Sequence, residues 1–201
     1  SPIPKDTHTL CVDGVPSSLE LNLLLVAAPD LTCLTFEWTN RSQPIDWNSV
    51  GLQLQLAPRL GRIDCISCRL TDDDLFRLLQ VCSTDNLCEL VLQLRTLNLS
   101  DNSLQTENPN FASSRVTLPT MTALTELNMT RVWKRGRLPD NLLVALPTQL
   151  EVLILHDNQL DVQQSFCNVL SRMAALRKLD MSWCRLSARE LTLLTPALAQ
   201  S

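Results

Sequence analysis

The sequence predicts an α/β solenoid: a curved stack of strand–turn–helix units, with a parallel sheet on its inner side and helices outside. Three observations predict it. One apolar phrase recurs at the spacing of a supersecondary unit, helix-capping residues follow its last leucine, and leucine supplies 42 of 201 residues. A unit of this kind cannot bury its apolar side alone, so copies stack into one continuous core.

The clearest copies are Leu94–Leu97–Leu99–Asn102–Leu104, Leu150–Leu153–Leu155–Asn158–Leu160 and Leu176–Leu179–Met181–Cys184–Leu186. Aligning their first leucines adds Leu60–Ile63–Cys65–Cys68–Leu70 and two poorer copies, Leu31–Leu34–Phe36 and Leu124–Leu127–Met129. Starts at 31, 60, 94, 124, 150 and 176 leave room for an outer helix in each unit. A weaker copy with Leu10 and Val12 begins near Thr7. Residues 1–30 therefore read as an N-terminal weak repeat or cap and 31–201 as the solenoid, one domain overall.

The order L-x-x-L-x-L-x-x-(N/C)-x-L resembles the leucine-rich repeats, and the long steps resemble their ribonuclease-inhibitor-like class. Nucleotide-binding innate receptors, Ran GTPase-activating proteins and tropomodulin carry that class. The resemblance covers most of residues 31–201, and no motif selects one member.

The helices are read from their caps. Thr71-Asp-Asp-Asp74, Asp161-Val-Gln-Gln164 and Ser187-Ala-Arg-Glu190 each read as a capping box or close variant before an apolar run. Ser17 or Ser18 starts a helix over Leu19–Ala27 that Pro29 closes, and Pro139 starts a short one over Leu142–Leu146. Two segments depart from the phrase: an insertion between Leu70 and Leu94, and an irregular outer loop over 105–120. The fourth copy also loses its closing Asn and leucine.

Composition narrows the classes. The net charge is −4, and the longest apolar stretch, Leu19–Ala28, is too short to span a bilayer. The chain opens at Ser1 without a charged-then-apolar leader and reads as part of a longer chain or complex. Cys68 and Cys184 stand at the Asn/Cys position and Cys65 at an inward strand position, which makes them packing residues. Cys65/Cys68 has C-x-x-C spacing, but no second pair follows, so no metal and no essential disulfide is expected. Scattered buried thiols point to the cytoplasm or nucleus. The sequons at Asn40, Asn98 and Asn128 pull toward an extracellular location. Asn98 and Asn128 fall inside strand phrases, where chance explains them, whereas Asn40 sits in a turn.

Function in such a stack lies on the concave sheet, where outward residues align in columns. The middle column is Thr35, Asp64, Asn98, Asn128, Ile154 and Asp180. Beside it run Glu37, Ile66, Ser100, Thr130, His156 and Ser182, then Trp38, Ser67, Asp101, Arg131, Asp157 and Trp183. On its other side run Cys33, Arg62, Thr96, Glu126, Val152 and Lys178. These columns hold six acids, Glu37, Asp64, Asp101, Glu126, Asp157 and Asp180, against Arg62, Arg131 and Lys178. The expected contact surface is Trp38, Asp64, Asp101, His156, Asp157, Asp180 and Trp183, and the expected partner is another protein with a basic segment.

Catalysis has little support. The two histidines are His8 and His156, His156-Asp157 is the one pairing that fits acid–base work, and no phosphate loop or nucleophile motif is present. The basic run Arg131–Arg137 is weak evidence for nucleic acid beside an acidic face. Leu75-Phe-Arg-Leu78-Leu79 fits an L-x-x-L-L motif only because a leucine-rich helix must bury its leucines. The chain therefore reads as a non-enzymatic protein-interaction scaffold without cofactor. The alternatives are a GTPase-activating or other enzyme-regulating module, for which Arg131 and Asn102 are candidates by type, and the ligand-sensing arm of a larger innate-immune-type receptor.

Overall fold

A computed structural model describes residues 7–13, 18–37, 50, 53–54, 56–71, 73–75, 78, 94–102, 104, 121–133, 137–138 and 140–199. Seven strands form one parallel sheet: β1 (Thr9–Asp13), β2 (Cys33–Glu37), β3 (Arg62–Ile66), β4 (Thr96–Asn98), β5 (Glu126–Asn128), β6 (Val152–Ile154) and β7 (Lys178–Asp180). Their order in space is their order in sequence. Every neighbouring pair is in the register that the phrase dictates, so Leu10, Leu34, Ile63, Leu97, Leu127, Leu153 and Leu179 form one row. The weak first copy is thus a true strand, and Leu10 and Val12 pair with Leu34 and Phe36.

Four helices are described with their bounds, α1 (Ser18–Ala27), α2 (Asp140–Val144), α3 (Gln164–Leu170) and α4 (Ala188–Leu198), and residues 50, 53–54, 73–75 and 78 are helical as well. Their apolar faces and the inward strand residues form one hydrophobic cluster running from Val12 to Ala197. α1 spreads its apolar residues around the helix beside Glu20 and Asn22: it buries Leu21 and Leu25 and leaves Leu19, Leu23 and Val26 exposed. The insertion between 70 and 94 lies largely outside the described residues, and the 105–120 loop does so entirely.

The caps hold at two sites and shift at a third. At Thr71 the N–H and the hydroxyl donate to Asp74 Oδ2, and the Asp74 N–H donates back to Thr71 Oγ1. α4 carries a full capping box between Ser187 and Glu190. α3 does not start at Asp161 as its box predicts: Gln163 is the N-cap residue and its side chain makes no cap bond. The Asp161 carboxylate instead accepts from Arg137 and from the Gln163 amide.

A ladder of buried side chains joins the repeats at the position that closes each phrase. Asn102 Nδ2 donates to Cys65 O of the preceding repeat at 2.7 Å and to its own Leu99 O and Ser100 O, while its Oδ1 accepts the Leu70 N–H. Asn158 repeats this with Met129 O, Leu155 O, His156 O and the Trp133 N–H. Cys68 and Cys184 supply the donor half, through their thiols to Phe36 O and Leu155 O. Burial, then Glu37, pushes the Cys68 pKa up to about 12, which keeps that donor protonated. The fourth repeat places Val132 here, and Leu104 N–H donates to the Val132 carbonyl instead. Its missing leucine is supplied late by Leu138, which is fully buried, bridges to Leu160 and donates to Gln159 O. The part of the basic run after Arg131 therefore falls in sequence between Val132 and Leu138, where the other copies have one residue.

Two outcomes are expected. Asn158→Ala removes the side-chain partner of Met129 O and of the Trp133 N–H, while His156 O keeps the Arg131 N–H and Leu155 O the Cys184 thiol, and should cost about 2–3 kcal/mol by urea unfolding; Asn158→Cys, which keeps a donor, should cost less. Glu190 is buried, which raises its pKa. Bonds from the Ser187 hydroxyl and N–H and the Val162 N–H, together with nearby Arg137, outweigh burial and hold it below the ordinary 4.5. Its contribution is therefore full above pH 4.5 and lost as pH falls through the depressed folded value. Glu190→Gln should lower stability at pH 7 by about 1–2 kcal/mol and flatten that acid limb of a stability–pH curve.

Candidate functional site

Strand alternation turns the columns beside the buried row toward the open face of the sheet, and parallel pairing carries on past the strands. The N–H groups of Ser67, Asp101, Arg131 and Asp157 donate to the carbonyls of Ser100, Thr130, His156 and Ser182 in the next repeat. Every residue of this column described after Glu37 lies in the left-handed region: Ser67, Asp101, Arg131, Asp157 and Trp183, with φ between 49° and 62°. The turn is closed from the middle column, where Asn98, Asn128 and Asp180 accept, at Oδ1, the N–H groups of Ser100, Thr130 and Ser182 at 2.9–3.0 Å. These are Asx turns, the side chain standing in for a backbone carbonyl. The two repeats closed by cysteine add a second left-handed residue, Arg69 and Arg185.

The acidic surplus is arranged unevenly. Asp64 is on the open face but covered, its carboxylate held by Arg62 Nε at 2.9 Å and by the Thr35 hydroxyl. Asp101 is gripped by Arg131 through two parallel bonds of 2.6 and 3.0 Å, and that bond raises the arginine pKa further. Glu37, Glu126, Asp157 and Asp180 then stand against Lys178, none of them in an ion pair with another described residue. His156 does not pair with Asp157. Its Nδ1 lies 2.6 Å from Ser182 Oγ, whose proton goes to Asp180 Oδ1 at 2.5 Å. Hydrogen bonds from the Ser182 hydroxyl and N–H lower the Asp180 pKa. The serine proton is directed at the carboxylate rather than at the imidazole, which is the reverse of an activated nucleophile.

Trp183 is 79% exposed and left-handed, on the last repeat. With Arg131, Trp133, Asp157, Gln159 and Arg185 it lines a cleft of about 240 Å³ over the buried Asn158. Of the expected contact residues, Asp157 and Trp183 meet in this cleft, and His156 and Asp180 join each other through Ser182. Asp64 and Asp101 are taken up by arginines, and Trp38 lies outside the described residues. Gln159 and Arg185 were not among the expected residues, because the repeat phrase leaves their position unspecified. An arginine directly after a closing cysteine, as at Arg69 and Arg185, is the signal that marks Arg185, whereas Gln159 follows Asn158 and carries no such signal.

A leucine-rich-repeat family model matches residues 93–114. No curated protein matches the chain. Among solved structures, the tropomodulin C-terminal domain of Caenorhabditis elegans aligns over 92% of this chain and 93% of its own, at 13% identity and TM-score 0.50. The TLR13–ssRNA13 complex aligns over 88% of this chain and 26% of that chain, at 17% identity and TM-score 0.52. Leiomodin-1 actin-binding site 2 aligns over 92% and 90%, at 16% identity and TM-score 0.49.

A left-handed backbone costs a bulky residue roughly 1–2 kcal/mol, and asparagine adopts it readily. Trp183→Asn should therefore raise stability by about 1 kcal/mol in chemical denaturation. A loss of stability would show that the indole is held in place by packing rather than left free for a ligand.

Proposed function

We propose that this leucine-rich-repeat solenoid is a protein-interaction module that takes its partner on the open face of the sheet, at the cleft between Arg131 and Trp183. The observation that carries the reading is Trp183. A large aromatic side chain is held outside the core in a strained backbone conformation that asparagine or glycine fills at lower cost. Exposed tryptophan beside a carboxylate suits a partner segment that brings an arginine or lysine: the cation stacks on the indole and its charge meets Asp157. Asp157 and Asp180 supply the carboxylates that meet it, because the acids at 64 and 101 are already paired; Arg185 in the same cleft opposes them, so the indole carries most of the attraction.

The enzyme-regulating alternative loses its candidates. Asn102 is fully buried and all its polar atoms are engaged in the repeat ladder. Arg131 is fixed to Asp101. Asn102 has no free polar atom for a ligand, and Arg131, though it lines the cleft, commits its guanidinium to Asp101, so the reading does not include catalysis.

The test presents the immobilised protein with a library of arginine- and lysine-rich peptides. Retained peptides should bind more weakly as salt rises. Trp183→Ala should weaken them by about 2 kcal/mol, roughly thirtyfold, and Asp157→Lys should slow their association. Asn168→Ala on the outer helix α3 should change nothing. Full binding by both open-face variants would remove this face as the site, and retention of single-stranded RNA in preference to every basic peptide would replace the partner class.

A further inference from the structure

The cleft over the buried Asn158 is built from three successive repeats. The fourth gives it Arg131 and Trp133, the fifth Asp157 and Gln159, and the sixth Trp183 and Arg185. The first of each pair precedes the residue that closes its phrase and the second follows it, so two columns run across the cleft. The Asp157 N–H donates to the Ser182 carbonyl, which makes Asp157 and Trp183 neighbours across the stack. Arg185 stands two residues beyond Trp183, past the buried Cys184.

Elsewhere in the stack opposite charges find each other: Arg62 with Asp64, Arg131 with Asp101, Arg137 with Asp161. Asp157 and Arg185 line one cleft of about 240 Å³ and are in no ion pair, either with each other or with another described residue. Arg131 feels the Asp157 charge, but both of its bonds go to Asp101. One side of the cleft thus offers a carboxylate and the other a guanidinium.

Resting on the binding role proposed for this cleft, we infer that its occupant is a dipolar peptide segment: extended, with an arginine or lysine at one residue and a glutamate or aspartate two residues on. In an extended chain these side chains share a face and stand about 7 Å apart along it. The base stacks on the Trp183 indole and meets Asp157, and the acid accepts two parallel bonds from Arg185. The Gln159 amide offers both a donor and an acceptor to the backbone between them. A uniformly basic segment sets its second cation against Arg185, and a uniformly acidic one sets a carboxylate against Asp157, so each loses half of the complementarity.

Two peptides that differ at one residue, Arg-Ser-Glu and Arg-Ser-Arg within the same uncharged flanks, are titrated against the full chain. Arg-Ser-Glu should bind about fivefold more tightly, although the chain's net charge of −4 by itself favours Arg-Ser-Arg. Arg185→Gln should remove the preference and Arg185→Glu should invert it. Arg185 is exposed, and the comparison on the unaltered chain stays decisive if a variant fails to fold. Equal affinities, a preference for Arg-Ser-Arg, or no binding of Arg-Ser-Glu overturns the dipolar occupant. The proposed binding role survives those results as long as Trp183→Ala weakens whichever peptides are bound. Binding indifferent to Trp183→Ala overturns both.

Discussion

Everything in this stack depends on how the carbonyls after each strand are satisfied. The strands are only three to five residues long, and beyond them the chain turns sharply over a leucine core that offers no polar partner. A carbonyl buried there without a donor costs about as much as a lost hydrogen bond, and the cost recurs at every turn. One buried amide answers three carbonyls at once: Asn102 and Asn158 each donate to the preceding repeat and to their own turn, and each accepts an N–H from the preceding repeat. Because half of each set crosses between repeats, no repeat closes its own turn unaided. That is the nearest-neighbour coupling expected of a solenoid, and here it is carried by single named side chains.

The same constraint produces the candidate site. A turn that delivers the closing residue inward forces the residue before it into the left-handed region and outward, so stacking yields a column of strained, solvent-facing side chains. Aspartate tolerates that backbone, whereas arginine and tryptophan do so at greater cost. Arg131 is compensated by its two bonds to Asp101. Trp183 is not compensated in this way, and this difference between neighbours in one column is what separates a structural position from a candidate functional one.

Most of the fold was legible because a strand phrase with period two and a closing polar residue admits one register. The inward row, the open columns and the cysteine ladder positions all stand where the phrase puts them. The errors arose where a side chain had a better partner than its local motif offered. Asp161 matches a cap pattern but is drawn to Arg137 and Gln163, and α3 starts later. The fourth repeat looks truncated because its closing leucine comes after an insert, at Leu138. The Asn98 and Asn128 sequons have a physical origin: an acceptor followed two residues later by a donor N–H is what an Asx turn requires, and the hydroxyl of Thr130 joins the same oxygen. Ion pairing between columns could not be read from a charge count, since it depends on which side chains become neighbours across strands.

That pairing changes what the acidic face means. Counted from sequence, the carboxylates spread along the whole sheet and describe a long strip for a basic partner. Paired as found, those at 64 and 101 have already exchanged their field for arginines, and charge between neighbours in close contact is largely lost to anything more than a Debye length away. The carboxylates left without an ion pair among the described residues are Glu37, Glu126, Asp157 and Asp180, and of these Asp157 shares a cleft with the one exposed tryptophan described. A partner drawn there meets an aromatic anchor and a carboxylate without an ion pair in one cleft. The cleft between Arg131 and Trp183 is therefore where a carboxylate and exposed aromatic area act in the same place.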